Sequence, residues 1–282
     1  MVNDTGHPGS PLLAIGQLCC SQAGHPERPL LDSITFQIDR LEHTAIIGQT
    51  GAGKSTLLAC ILGDTNKLRG LKVNGIIDYR RHNLLAAKAG TKEIWMAGGI
   101  CWIPQEPETA LNPTRSVKAQ LVEMICARLK HSPTTGEALL KTNFELADQL
   151  ALFAALDRYP GQFSGGELQR ILFIHALVGN PKLVLADEPT TALDKENKQL
   201  IMSLLMKLIT ATGATLVISS HDYDTIRQCC KRFIYLENGK LVEAGPMSQL
   251  GSQPLDSNLT LLLHDYDQLQ SSLPKDISAI PE

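Results

Sequence analysis

Apolar and polar positions along the chain follow two rhythms. Nearly continuous apolar runs at residues 99–103, 183–186 and 215–219 have the length and composition of strands covered on both faces. Runs at 12–18, 34–38 and 44–47 predict further strands. Between them, apolar residues recur at helical spacing over 54–62, 117–129, 137–150, 165–178 and 195–209. Strands interleaved with helices predict an α/β fold with a partly parallel sheet. From about residue 106 to 180, three helical patterns follow one another without a convincing strand, which predicts a helical insert. Near the end, apolar runs at 233–236 and 241–244 flank Asn238-Gly239, two residues suited to the positive-φ positions of a tight hairpin turn. The expected main domain is 1–248. The tail, 249–282, is rich in Ser, Asp, Gln and Pro, and only 259–263 is apolar enough to form a short helix.

Composition narrows this picture little. A chain of 282 residues suits one large domain, and 43% hydrophobic with 20% charged residues is the balance of an ordinary folded protein. A formal net charge of −3 supplies no overall basic surface for nucleic acid, so no nucleic-acid partner is expected. No apolar stretch is long enough to span a bilayer, and residues 1–9 lack the pattern of a targeting signal, so the chain is expected to stay in the cytosol. The 7 cysteines include the adjacent pairs Cys19-Cys20 and Cys229-Cys230 but no zinc-site spacing. They read as small buried side chains in a reducing compartment.

The strongest local signal is Gly48-Gln49-Thr50-Gly51-Ala52-Gly53-Lys54-Ser55-Thr56, a GxxxxGK[ST] pattern between a predicted strand and a predicted helix. Glycines there let the backbone wrap a phosphate chain, while successive N–H groups and the helix dipole receive its charge. Lys54 is positioned to reach the β- and γ-phosphates and Ser55 to hold Mg²⁺. A second acid-bearing strand end is expected in such a site, and residues 183–188 supply Asp187 for the metal shell and Glu188 for the attacking water. Alone, that carboxylate pair also reads as exposed acids at a strand end, a reading that weakens beside the glycine-rich loop. His221 and Gln105 each follow a predicted strand, at the sheet edge where open α/β folds place ligands, with the γ-phosphate and the metal or water as their candidate partners.

Residues 163–170, Phe163-Ser164-Gly165-Gly166-Glu167-Leu168-Gln169-Arg170, resemble the signature sequence of ABC (ATP-binding cassette) proteins, and Asp187-Glu188-Pro189-Thr190-Thr191-Ala192-Leu193-Asp194 looks like the Walker B and D-loop of that family. The resemblance covers roughly residues 12–245. It implies a P-loop NTPase of ABC type: a mixed-sheet core, a helical subdomain near 106–180, and antiparallel strands at the N-terminal edge. It implies ATP hydrolysis with Mg²⁺ held by Ser55, Gln105 and, through water, Asp187. It also implies a second phosphate site made by Ser164, Gly165, Gly166 and Glu167, with Asp194 nearby, facing the P-loop of an opposing cassette. The partners it implies are transmembrane permease subunits, a second identical or different cassette, and an external solute-binding protein; the place is the cytoplasmic face of the cell membrane. The motifs around Gln105 and residues 187–194 look most like importers of oligopeptides, dipeptides and nickel or metal chelates. An exporter subunit, or a soluble ABC ATPase acting on ribosomes or DNA, are the competing readings.

Three positions depart from the family pattern. The first strand ends at Gln22, where an aromatic residue usually stacks on adenine. Stacking is worth about 1–3 kcal/mol in single-stranded nucleic-acid systems, so weak discrimination between ATP and GTP is expected, with the 24–29 loop as an alternative support for the base. Glu167 replaces the signature glutamine and adds negative charge near a triphosphate. The tail lacks the cysteines frequent in the oligopeptide group.

Overall fold

The computed structural model describes residues 10–63, 68–86, 99–105, 111–190 and 195–250. Ten strands and seven helices are described: β1 (Leu13–Gln22), β2 (His25–Ile38), β3 (Thr44–Ile47), α1 (Lys54–Leu62), β4 (Leu71–Tyr79), β5 (His82–Asn83), β6 (Ile100–Ile103), α2 (Val117–Leu129), α3 (Pro133–Leu146), α4 (Leu150–Ala154), α5 (Gly165–Ala176), β7 (Leu183–Asp187), α6 (Lys195–Thr212), β8 (Thr215–Ser219), α7 (Tyr223–Cys229), β9 (Arg232–Glu237) and β10 (Lys240–Pro246). They form a four-stranded antiparallel sheet, β2-β1-β4-β5, and a six-stranded sheet, β10-β9-β3-β8-β7-β6. In the larger sheet, strands β9 to β6 run parallel and β10 returns antiparallel to β9.

The apolar runs predicted the central strands because β3, β7 and β8 are buried at every position. One core cluster joins the sheets and α1 through residues such as Leu13, Ile34, Ile46, Leu57 and Leu185. Another packs the opposite side of the larger sheet against the helices, with Leu121, Phe144, Phe173 and Leu205 among its members. Each such side chain contributes about 1.5–3 kcal/mol through burial.

Several boundaries differ from the sequence expectation. The helix expected at 137–150 is two elements: α3 starts at Pro133, where the Ser132 hydroxyl accepts from the Thr135 N–H, and ends before Asp148, whose φ of 57° breaks the helix. Strand β4 was not expected; half its residues face solvent, and Asn74-Gly75 interrupts the apolar pattern. Gly75 fits there because an added Cβ would lie 2.5 Å from the Gln17 carbonyl oxygen on β1. Helix α7 was also unexpected, and is started by Asp222, which accepts from the Thr225 N–H at 3.2 Å. The expected short helix at 259–263 lies outside the described residues.

Candidate active site

The loop from Gly48 to Gly53 joins β3 to α1 and is held by close backbone approach. A Cβ on Gly48 would lie 2.4 Å from the Leu236 carbonyl oxygen, and Gly53, at φ 100°, lies against Leu30 and Leu31 of β2. The Ala52 N–H donates to Gln49 O at 3.1 Å and the Gly239 N–H to Ala52 O at 3.2 Å, so the β9–β10 turn braces the loop. Helix α1 has glycine as its N-cap and no side-chain cap. Its first-turn N–H groups therefore lack a side-chain acceptor, the arrangement that receives an anion.

Lys54 is nearly buried, at 6% exposure, and its Nζ donates to Gly48 O at 2.8 Å and Gln49 O at 3.1 Å. The same Nζ lies 3.6 Å from Glu188 Oε1, while Glu188 Oε2 lies 3.3 Å from His221 Nδ1. One carboxylate thus spans the loop lysine and the histidine beyond β8. Beside it, the Ser55 hydroxyl donates to Asp187 Oδ1 at 2.9 Å. Asp187 is almost fully buried, and its oxygen also accepts from the Ser219 hydroxyl at 2.8 Å. Glu188 has φ 43°, a left-handed conformation that costs a non-glycine residue roughly 1–3 kcal/mol and persists only where surroundings impose it. Here its N–H is shared between Ser219 O and Ser219 Oγ, each at 3.0 Å.

These groups open onto a cavity of about 860 Å³. It is lined by Pro29, Leu30, Thr50, Gly51, Gly53 to Thr56, Gln105, Glu188, His221, Asn238 and Gly239. The volume lies in the range of small-molecule and cofactor sites. Gln22, at the end of β1, is exposed and does not line the cavity. Hard oxygen donors cluster at Ser55 and Asp187, a donor set that suits a magnesium ion.

Residues Ser164 to Glu167 stand elsewhere, at the exposed start of α5, and do not line this cavity. There the Ser164 N–H and hydroxyl both donate to Glu167 Oε2 at 2.8 Å, and the Glu167 N–H donates back to Ser164 Oγ at 3.3 Å. This capping box holds the Glu167 carboxyl below its ordinary pKa, first through the Ser164 backbone N–H and then through its hydroxyl. The buried Gln169 carboxamide donates to Pro189 O, tying α5 to the segment just beyond Glu188. Asp194 lies outside the described residues.

Sequence reasoning missed Ser219, Gln169 and Asn238. Ser219 is visible only as a polar end to an apolar strand, Gln169 as a polar residue in a helix, and Asn238 as a turn former.

Comparison with known proteins agrees with this arrangement. Residues 31–191 match the family model described as ABC transporter. The oligopeptide transport ATP-binding protein OppD of Bacillus subtilis is 30% identical over 251 residues, covering 88% of this chain and 69% of that protein. The dipeptide transport ATP-binding protein DppD of Haemophilus influenzae is 30% identical over 249 residues, covering 87% and 72%. Among solved structures, the dimeric bacterial ABC transporter cassette MJ0796 superposes with a TM-score of 0.69 at 25% identity, covering 83% of this chain and 98% of that one. With the phosphate-type cradle, the Asp187-Glu188 strand end and the α5 serine all in place, and the family model spanning them, this chain belongs to the ABC transporter family.

Proposed function

We propose that the chain is the ATP-hydrolysing subunit of an ABC importer, coupling ATP hydrolysis to uptake of a peptide or metal chelate through a separate membrane permease. The observation that carries the catalytic part is the single carboxylate of Glu188 set between Lys54 and His221, beside the Ser55–Asp187 pair. The relatives named for oligopeptide and dipeptide transport support the peptide class of cargo. No helix among the described residues is long and apolar enough to cross a membrane, which suits a subunit docked on the cytoplasmic side of a permease served by an external binding protein.

In this reading the triphosphate lies along the uncapped first turn of α1, over the backbone N–H groups from Gly51 to Thr56. Lys54 exchanges its carbonyl partners Gly48 and Gln49 for the β- and γ-phosphate oxygens, which also releases it from Glu188. Glu188 then accepts the proton of the attacking water, the γ-phosphoryl group passes to that water's oxygen, and ADP leaves as phosphate forms. His221 orients Glu188 and contacts the γ-phosphate; Gln105 reaches the metal or the water. Bound Mg²⁺, held by Ser55, Gln105 and, through water, Asp187, would neutralise charge on the phosphates.

A second cassette supplies the opposite wall through its own Ser164 to Glu167 and Asp194, so ATP binding closes a dimer and hydrolysis opens it. MJ0796, a cassette of similar fold, is dimeric, which supports the pairing of two cassettes. At the nucleoside end, Pro29, Leu30 and Asn238 replace an aromatic stacking partner. The decisive experiment is Glu188→Gln, which should lower turnover by about 10²- to 10⁴-fold while ATP still binds and the dimer stays closed. Undiminished hydrolysis would remove Glu188 from this role.

A further inference from the structure

We propose that Ser219 is a positioning residue for hydrolysis, fixing both carboxylates of the site through one hydroxyl; this rests on the reading of the cavity as an ATPase centre. Ser219 ends β8 and is fully buried, opposite Asp187 in the parallel β7–β8 ladder. A buried hydroxyl at the end of an apolar strand needs partners. Ser219 has them on the neighbouring strand: it donates to Asp187 Oδ1 at 2.8 Å and accepts the Glu188 N–H at 3.0 Å.

The two contacts have separate consequences. Asp187 Oδ1 also accepts from the Ser55 hydroxyl, and Ser55 is the residue that must turn toward a metal. When it turns, the Ser219 hydroxyl keeps Oδ1 in place, so Asp187 meets the metal shell already oriented. The second contact acts on the backbone. Glu188 occupies a left-handed conformation, which sends its side chain back between Lys54 and His221. Its N–H could pair with the Ser219 carbonyl alone, as in an ordinary ladder, yet it is shared with Oγ. The hydroxyl therefore helps hold the turn that aims Glu188. A serine that read the nucleotide directly would line the cavity. Ser219 instead touches no nucleotide-facing space and acts only through the two acids; it does not line the cavity.

Ser219→Ala and Ser219→Thr, each in the full-length chain co-purified with its membrane partners, test this. Ser219→Ala should lower kcat about 10- to 30-fold, as expected for loss of a hydrogen bond to a charged group. ATP affinity should stay within about two-fold, and the Mg²⁺ concentration giving half-maximal rate should rise several-fold. Ser219→Thr keeps the hydroxyl and should recover most of the rate. Unchanged kcat and Mg²⁺ dependence in Ser219→Ala would overturn the role. So would a loss of kcat that comes with equal loss of ATP affinity and is no smaller in Ser219→Thr, since packing alone would explain it. A wild-type complex that hydrolyses no ATP would instead sink the ATPase reading, and this inference with it.

Discussion

Two helices in this chain begin at small-residue turns, and their first turns are satisfied in opposite ways. Helix α1 starts after Gly53 with no side-chain cap, and a buried lysine waits beside it on main-chain carbonyls. Helix α5 starts after Ser164 and is closed by its own carboxylate, Glu167, which accepts from both the N–H and the hydroxyl of Ser164. An unsatisfied helix start invites an anion, whereas a start already occupied by a carboxylate must give it up or repel the incoming charge. The strong half of the proposed composite site is therefore the P-loop, and the weak half is the signature segment.

The largest effect on nucleotide binding should come from removing the cation of the strong half. Lys54→Ala should weaken binding of the triphosphate by about 10²-fold or more, as expected when a nearly buried charge-assisted partner is lost. Titration with MgATP checks it, and affinity within a few-fold of wild type would put the phosphates elsewhere.

The far end of α5 offers a pH-dependent prediction. His175 lies in the last turn of the helix; its Nε2 is shut off from solvent without a partner, although part of the residue remains accessible. Burial, with the Arg128 guanidinium as a second cause, holds its pKa down to about 3. Arg128 itself donates to the carbonyls of Ala176 and Val178 at the end of α5. The folded chain thus excludes a proton that the unfolded chain binds below its ordinary pKa of 6.5. The contribution of His175 is fully present well above pH 6.5 and is lost as pH drops toward 3, by up to about 1.4 kcal/mol per unit. Urea midpoints at pH 7.0 and 5.5 should differ for wild type and differ less for His175→Gln; equal differences would assign the loss to other groups.

A smaller effect is expected at the weak half. Glu167→Gln keeps an acceptor for Ser164 but removes the negative charge, and should raise ATP-driven dimerisation roughly two- to five-fold. Sizing in the Glu188→Gln background, where hydrolysis is blocked, reads it; no change or a decrease would show that Glu167 does not limit closure. The smallest effect concerns the base. With Gln22 exposed and Pro29, Leu30 and Asn238 lining the cavity, ATP and GTP should bind within about ten-fold of each other. A much stronger preference for ATP would mean that some other group reads the base.

The central strands, the P-loop and the two acids were legible because each leaves a local pattern: continuous apolar runs for β3, β7 and β8, glycines at fixed spacing, and carboxylates at a strand end. Helix α5 began where expected, at Gly165 after Ser164, whereas α3 began at Pro133, four residues before the expected start, because the Ser132 cap precedes its apolar pattern. The half-exposed strand β4 and the short helix α7 left weaker signals, since neither carries a full apolar face.

The family and the order of its motifs were readable from the chain alone, because both depend on chemistry carried by contiguous residues. Which distant groups share an atom depends on the folded chain. Asp187 Oδ1 receives hydroxyls from Ser55, 132 residues earlier, and from Ser219, 32 residues later. Glu188 is strung between Lys54 and His221, and Asn238 comes to the same cavity as Pro29. Such meetings follow from strand order in the sheet, β9-β3-β8-β7, which is set by packing of the whole core and leaves no trace in local spacing.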